Sequence, residues 1–204
     1  MSRRAKRVLL AIVALAAIAG VAAFAWRREI ARAASIDLAP TNARGLVERP
    51  VADPRIVVYK SERRLVLLSK GQVVRTFRIA LGGQPEGDKV RKGDNRTPEG
   101  GFYVCSKNPR SRFHLALGLS YPDAEDAERG LREGWITRAQ HEAIVRAIQG
   151  RRQPPWDTAL GGAILIHGRG ADRDWTAGCV ALDDPDMRAL YEAVPIATPV
   201  TILP

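Results

Sequence analysis

Cysteine is scarce in this 204-residue chain, which has two, Cys105 and Cys179. Two thiols exclude a disulfide-dense scaffold and an all-cysteine zinc site, which needs about four thiolates. Histidine is scarce as well. A zinc site built on His167 would need His114 or His141, and their spacing matches no metal signature, so no metal is expected. Internal repeats are lacking, and so is low-complexity sequence beyond one alanine-rich stretch. Hydrophobic residues make up 46% of the chain and charged residues 26%, which suits one folded domain with a single core rather than a disordered chain.

Acidic residues are absent from the first 28 positions, where six basic residues lie (Arg3, Arg4, Lys6, Arg7, Arg27 and Arg28). Beyond them 26 basic residues face 22 acidic ones. Much of the formal +10 charge is therefore local to the N-terminus, and the mild, dispersed remainder is no nucleic-acid footprint. Residues 8–26 form a 19-residue run without a charge, and four basic residues precede it. This pattern keeps the N-terminus in the cytoplasm and sends the rest of the chain across the membrane. Nineteen residues nearly span a bilayer as a helix, which fits a permanent anchor. Ala23-Phe24-Ala25 and Ala31-Arg32-Ala33 fit the small-x-small pattern of a cleaved signal peptide. Residues 1–28 are thus a signal anchor or signal peptide. Residues 29–54, rich in Ala, Arg and Pro, read as a linker.

The folded domain is expected over 55–204. Residues 55–60, 64–69 and 72–80 are β-branched or apolar runs separated by short turns, a β-meander with Val73, Phe77 and Ile79 on one face of the third strand. A polar, glycine-rich loop comes next, over 84–101. Strands are expected at 102–106 and 115–120. Residues 123–153 change period. Residues 123–132 are charged and helix-prone, and Thr137-x-x-Gln140 is a capping box opening a helix with Ile144, Val145 and Ile148 on its apolar stripe, stopped by Gly150. Strand pattern returns at 163–167 and again at 180–182. Asp183 or Asp184 then caps a helix running from Pro185 to Ala193, and 198–203 is a last strand. The sum is a mainly-β domain, a sandwich or barrel-like sheet pair with a two-helix insertion, preceded by a transmembrane or signal helix.

The chemistry gathers at Ile164-Leu165-Ile166-His167-Gly168 and Trp175-Thr176-Ala177-Gly178-Cys179. A histidine at a strand end before glycine projects into a cleft. Cysteine is a strong nucleophile as thiolate, so a histidine that takes its proton is the expected partner. The N–H groups of Gly178 and Cys179 are candidate oxyanion donors. Cys105, inside a strand, reads as a core residue, and Asp94, Thr97 and Gly100 as the makers of a turn. Trp156 and Trp175 are candidate groove walls.

These residues resemble the YkuD-type L,D-transpeptidase catalytic domain, in its Ala-Gly-Cys form. The resemblance runs over roughly 56–203. It rests on His167-Gly168 and, further on, Thr176-Ala177-Gly178-Cys179, with Lys92-Gly93-Asp94-x-x-Thr97-Pro98-Glu99-Gly100, Asn108-Pro109, Ser111-Arg112-Phe113-His114 and Leu119-Ser120-Tyr121-Pro122 before them. It implies a cell-envelope enzyme of peptidoglycan biogenesis and remodelling, anchored in the inner membrane through 8–26 and facing the periplasm, or periplasmic after cleavage. Cys179 would be acylated by a tetrapeptide stem with loss of D-Ala. His167 would be base and then acid, and Gly178 would donate to the oxyanion. An amine would resolve the thioester in a 3→3 crosslink or a related transfer. Substrate contacts would come from Thr176, Gly168, Trp175, His114, Arg112 and Arg169. The partners implied are stem peptides and, as acceptor, a neighbouring stem, a lipoprotein lysine or a D-amino acid. No cofactor is implied, and inhibition by carbapenems is. Where the family commonly has a second histidine this chain has Ala177, and where a polar pair comes after the cysteine's neighbour it has Ala181-Leu182. The acceptor therefore stays open between an amine and water, the latter making a hydrolase on the same scaffold. A noncatalytic envelope-binding module is the remaining alternative.

Overall fold

The structure, a computed structural model, describes residues 51–204; the segment 8–26 and most of the linker lie outside the described residues. Eight strands form one sheet in the order β3-β2-β1-β8-β4-β5-β6-β7. They are β1 (Pro54–Tyr59), β2 (Arg64–Ser69), β3 (Gln72–Arg78), β4 (Gly100–Ser111), β5 (His114–Leu119), β6 (Leu165–His167), β7 (Val180–Ala181) and β8 (Pro199–Leu203). Three helices accompany them: α1 (Ala124–Arg132), α2 (Arg138–Gln149) and α3 (Asp184–Ala193).

The long strand β4 explains how one sheet does the work of a sheet pair. Its first residues, Gly100 to Tyr103, pair with β8. From Val104 onward it pairs with β5. Its register slips between Val104 and Ser106 and again between Asn108 and Ser111. Such bulges bend a strand and increase its twist, so the two halves of the sheet turn toward each other. The sheet's two edges are then stitched together. Just after β3, Ala80 exchanges hydrogen bonds with Ala181 of β7, N to O, at 2.9 and 2.8 Å. The outcome is barrel-like, a single curled sheet rather than two. Its core draws Ile56, Leu65, Phe77, Leu117, Ile166 and Ile202 from both halves, with Met187 and Leu190 from α3.

Several boundaries differ from the sequence reading. Val51 is already buried and its N–H donates to Ala193 O at 3.1 Å, so packing begins before residue 55. β4 continues five residues beyond the expected end at Ser106. In β3, a bulge opposite Leu67 and Leu68 shifts the alternation. Val74, rather than Val73, packs against the core beside Phe77. The capping box of α2 forms as expected, with Gln140 N–H donating to Thr137 Oγ1. In α1, Asp123 and Asp126 form a second capping box. The two insertion helices share a small core of Ala127, Ile136, Ile144 and Leu160. Among the described residues no helix is long and apolar enough to cross a membrane.

Candidate active site

β6 and β7 run parallel, with Ile166 opposite Val180 and His167 opposite Ala181. Ile166 and Val180 are fully buried in the core. Side chains alternate along a strand, so Leu165 and His167 face the other way, and Cys179, just before β7, sits level with Leu165 on that same face. The Leu165 N–H donates to the Cys179 sulfur at 3.4 Å, and the thiol points at Ala163 O, 3.6 Å away. Strand register thus sets the cysteine diagonally adjacent to the histidine. The intervening residues fold back as the sequence requires, through Gly170 N–H to Leu182 O at 2.9 Å and Ala171 N–H to Asp183 Oδ1 at 3.1 Å.

His167 is almost wholly buried. Its Nδ1 lies 2.6 Å from Gly168 O. A carbonyl only accepts, so Nδ1 carries the proton and Nε2 is left with its lone pair as the basic nitrogen. The ring stacks on Phe113 with centroids 4.5 Å apart and meets Trp175 edge-on at 5.6 Å. Gly168 has no room for a side chain: a Cβ there would sit 2.4 Å from Asp184 Oδ1 and 3.0 Å from Phe113 O. Its role is to orient the imidazole through its carbonyl. His114, with φ +74, backs Gly168, and its Nε2 is buried without a partner among the described residues.

Cys179 sits on a turn built by Thr176. Its hydroxyl accepts from the Gly178 N–H at 3.1 Å and donates to Cys179 O at 2.7 Å. The sequence reading had Thr176 touching substrate and Gly178 donating to the oxyanion; in this structure both groups are engaged with each other, because the hydroxyl closes the turn. The Cys179 N–H is the donor outside that turn. Gly178 has φ +125, and a Cβ there would meet Arg96 O at 2.5 Å. Arg96 belongs to the glycine-rich loop, which presses on the turn from behind. Asp94 organises that loop, accepting from Val90 N–H at 2.8 Å, Arg91 N–H at 3.0 Å, Arg96 N–H at 3.1 Å and the buried Lys89 Nζ at 2.6 Å. Thr97 Oγ1 accepts from Gly82 N–H at 3.0 Å. Asp94 and Thr97 are therefore turn builders, as read from the sequence.

Burial is the largest influence on both reactive groups. It pushes the Cys179 thiol above its ordinary value, against the opposing pull of the Leu165 N–H, Lys89 and Arg112. It holds His167 below its ordinary value, against the Gly168 hydrogen bond and with help from Arg112. At rest the pair is a thiol and a neutral imidazole. Arg112, Phe113, Arg169, Arg173 and Trp175 line a cavity of about 590 Å³ beside the imidazole. Trp156 packs over Gly118, the residue opposite Leu165, and does not line that cavity.

Residues 53–202 match the YkuD family, the L,D-transpeptidase catalytic domain. The chain belongs to that family. Solved structures show similarity at low identity. An L,D-transpeptidase from Xylanimonas cellulosilytica is 15% identical, with 78% of this chain and 64% of that one covered and a TM-score of 0.45. Bdellovibrio bacteriovorus Bd1075 is 20% identical over 75% of this chain and 48% of that one, at 0.49. The helical cell shape determining protein Pgp2 from Campylobacter jejuni (K307A mutant) is 22% identical over 78% and 48%, at 0.48. The chain thus spans roughly half to two thirds of these proteins. No curated protein matches it.

Within the L,D-transpeptidase domain, three contributors to the site are given no place in it by the sequence. Phe113 holds the face of the imidazole. Asp183 and Asp184, expected to cap α3, turn their carboxylates to the loop after the histidine; Asp184 Oδ1 accepts from Arg169 N–H at 2.8 Å. A cap and a loop tie use the same Asx chemistry, so the sequence alone does not separate them.

Proposed function

We propose that this protein is a peptidoglycan L,D-transpeptidase. The observation that carries the reading is the β6–β7 register, which sets a cysteine beside a histidine whose tautomer is fixed by Gly168 O. Nε2 takes the thiol proton as sulfur attacks the carbonyl of the diamino acid's L-centre in a tetrapeptide stem. The Cys179 N–H faces the developing oxyanion. The C–N bond to D-Ala breaks, Nε2 protonates the leaving nitrogen, and a thioester remains. An incoming amine attacks it, gives its proton to Nε2, and the sulfur leaves and recovers the proton. Because the resting pair is neutral, proton transfer accompanies attack rather than preceding it. Residues 8–26 would hold the domain at the outer face of the inner membrane, or direct it to the periplasm after cleavage.

The test is product analysis of tetrapeptide muropeptides incubated with the protein and a labelled free D-amino acid. Crosslinked dimers or an exchanged fourth residue, absent with Cys179→Ala, support the proposal. D-Ala release without incorporation of any amine would replace the transferase by a hydrolase on the same residues. No turnover would leave the binding-module reading.

A further inference from the structure

The turn between β1 and β2 carries an arginine whose partner lies 111 residues further along the chain. Arg63 donates from Nε at 3.1 Å and from Nη2 at 2.8 Å to one oxygen, Oδ2, of Asp174. The other oxygen, Oδ1, accepts from the Leu81 N–H at 2.8 Å. Leu81 is fully buried, so its N–H depends on that oxygen rather than on water. The Leu81 carbonyl in turn accepts from two N–H groups, those of Trp175 and Thr176, both at 3.1 Å. Trp175 is the ring that meets His167 edge-on at 5.6 Å, and Thr176 closes the turn that carries Cys179. The Gly83 N–H donates to Thr176 O at 3.0 Å, which fixes the threonine from its other end. Arg63 is itself held firmly. It has φ +47, its Nη1 donates to Lys60 O at 2.8 Å, and its carbonyl accepts from the Ile79 N–H at 2.9 Å.

Both side chains of this pair are partly exposed, and an ion pair in contact with water contributes little to stability. What the pair sets is geometry. The chain of bonds runs from the guanidinium to the carboxylate, to Leu81, and from Leu81 to the residues on either side of the reactive pair. A displacement of about 1 Å at a reacting atom costs about a hundredfold in rate. We infer that Arg63 and Asp174 are positioning residues for the acyl-transfer site. The guanidinium fixes the carboxylate, the carboxylate fixes Leu81, and Leu81 sets Trp175 against His167 and Thr176 beneath Cys179. Both residues act through Leu81 rather than on the substrate. The inference rests on the acyl-transfer reading of Cys179 and His167, and it adds the residues that hold the two in place. Arg75 and Asp186 supply an internal comparison. They form a partly exposed ion pair of the same kind, 2.7 Å apart, but it joins β3 to α3 instead of reaching the Cys179 turn.

The experiment uses the full chain and a tetrapeptide stem. Release of D-Ala gives kcat and KM, and thermal denaturation gives stability. Arg63→Asn removes the guanidinium at a φ that asparagine adopts readily, so the turn itself is kept. It should lower kcat about tenfold or more, leave KM within about twofold, and barely move the melting temperature. Arg63→Lys should recover part of the loss. Asp174→Ala should lower kcat further, since the Leu81 N–H loses its acceptor as well. Because Arg63 acts only through Asp174, Arg63→Asn added to Asp174→Ala should cost nothing more. Arg75→Gln breaks the comparison pair and should leave kcat unchanged. An effect on KM alone would make these residues substrate contacts and overturn positioning. Additive losses in the double variant, a loss no larger than that of Arg75→Gln, or a loss that comes with a large fall in melting temperature would overturn it too. Each of these outcomes leaves acyl transfer standing. Absence of D-Ala release and of any adduct on Cys179 in the unaltered protein overturns acyl transfer, and the positioning role with it.

Discussion

The Thr176 hydroxyl donates to the carbonyl of Cys179 at 2.7 Å while accepting from the Gly178 N–H at 3.1 Å. One side chain thereby closes the turn that presents the sulfur. Thr176→Val should lose both bonds, costing about 1–2 kcal/mol of stability and lowering kcat more than it raises KM. Thr176→Ser should restore most of both. Thermal denaturation alongside steady-state kinetics checks this; a loss confined to KM would assign Thr176 to substrate contact instead.

Gly178→Ala should be more damaging. The new Cβ would meet Arg96 O at 2.5 Å at a φ of +125, so either the glycine-rich loop or the nucleophile turn must move. A cost of about 2–3 kcal/mol and a steep fall in turnover are expected. An unchanged melting temperature would show that the loop does not back the turn.

Burial sets how the two reactive groups titrate. Alkylation of Cys179 by iodoacetamide without substrate should rise with pH beyond the ordinary thiol value of 9.0, since its pKa is raised. Cys105, pushed up to about 11, should label at higher pH, and Cys105→Ser should leave turnover nearly intact. Turnover, in contrast, needs neutral His167. Its pKa lies below 6.5, so kcat/KM should hold as pH drops to 6.5 and decline only below it. The unfolded chain binds the His167 proton more readily than the folded one. Stability contributed by this residue is therefore present above pH 6.5 and is lost as pH falls from there toward the folded value.

The Lys89–Asp94 pair, 2.6 Å apart with both side chains largely buried, separates two substitutions. After Lys89→Met, Asp94 keeps three backbone N–H donors. After Asp94→Asn, the ammonium keeps the carbonyl of Arg91, at 3.0 Å, and at best a neutral amide oxygen, with no opposite charge beside it. Asp94→Asn should therefore be the worse, at about 3–5 kcal/mol, as for a stranded buried charge. Urea denaturation of the two variants decides it, and the reverse order would remove Asp94 from its place as the loop's organiser.

The site was more legible in the sequence than its supports. His167 and Cys179 stand in short motifs whose residue types suit a base and a nucleophile, and the β6–β7 register brings them to one face. Helix caps at Thr137 and Gln140 were equally plain because they are local. Val74 and the far half of β4 were not, since bulges are set by partner strands. Residues 107–111, polar and carrying Pro109, do not look like a strand. The engagement of Gly178 by Thr176, and of Asp183 and Asp184 by the loop after His167, depends on tertiary approach that spacing does not encode. Arg112, Arg169 and Arg173 lie on two loops, and only the fold shows that they share a cavity.

The central claim is that Cys179 forms a thioester with a stem peptide. The most direct measurement is intact and peptide-level mass spectrometry of the full chain mixed with a tetrapeptide stem and quenched in acid. The account predicts a mass gain equal to the stem minus its terminal D-Ala, located on the peptide containing Cys179, present in Cys105→Ser and absent in Cys179→Ala. An adduct on Cys105, or turnover that persists in Cys179→Ala, would contradict it.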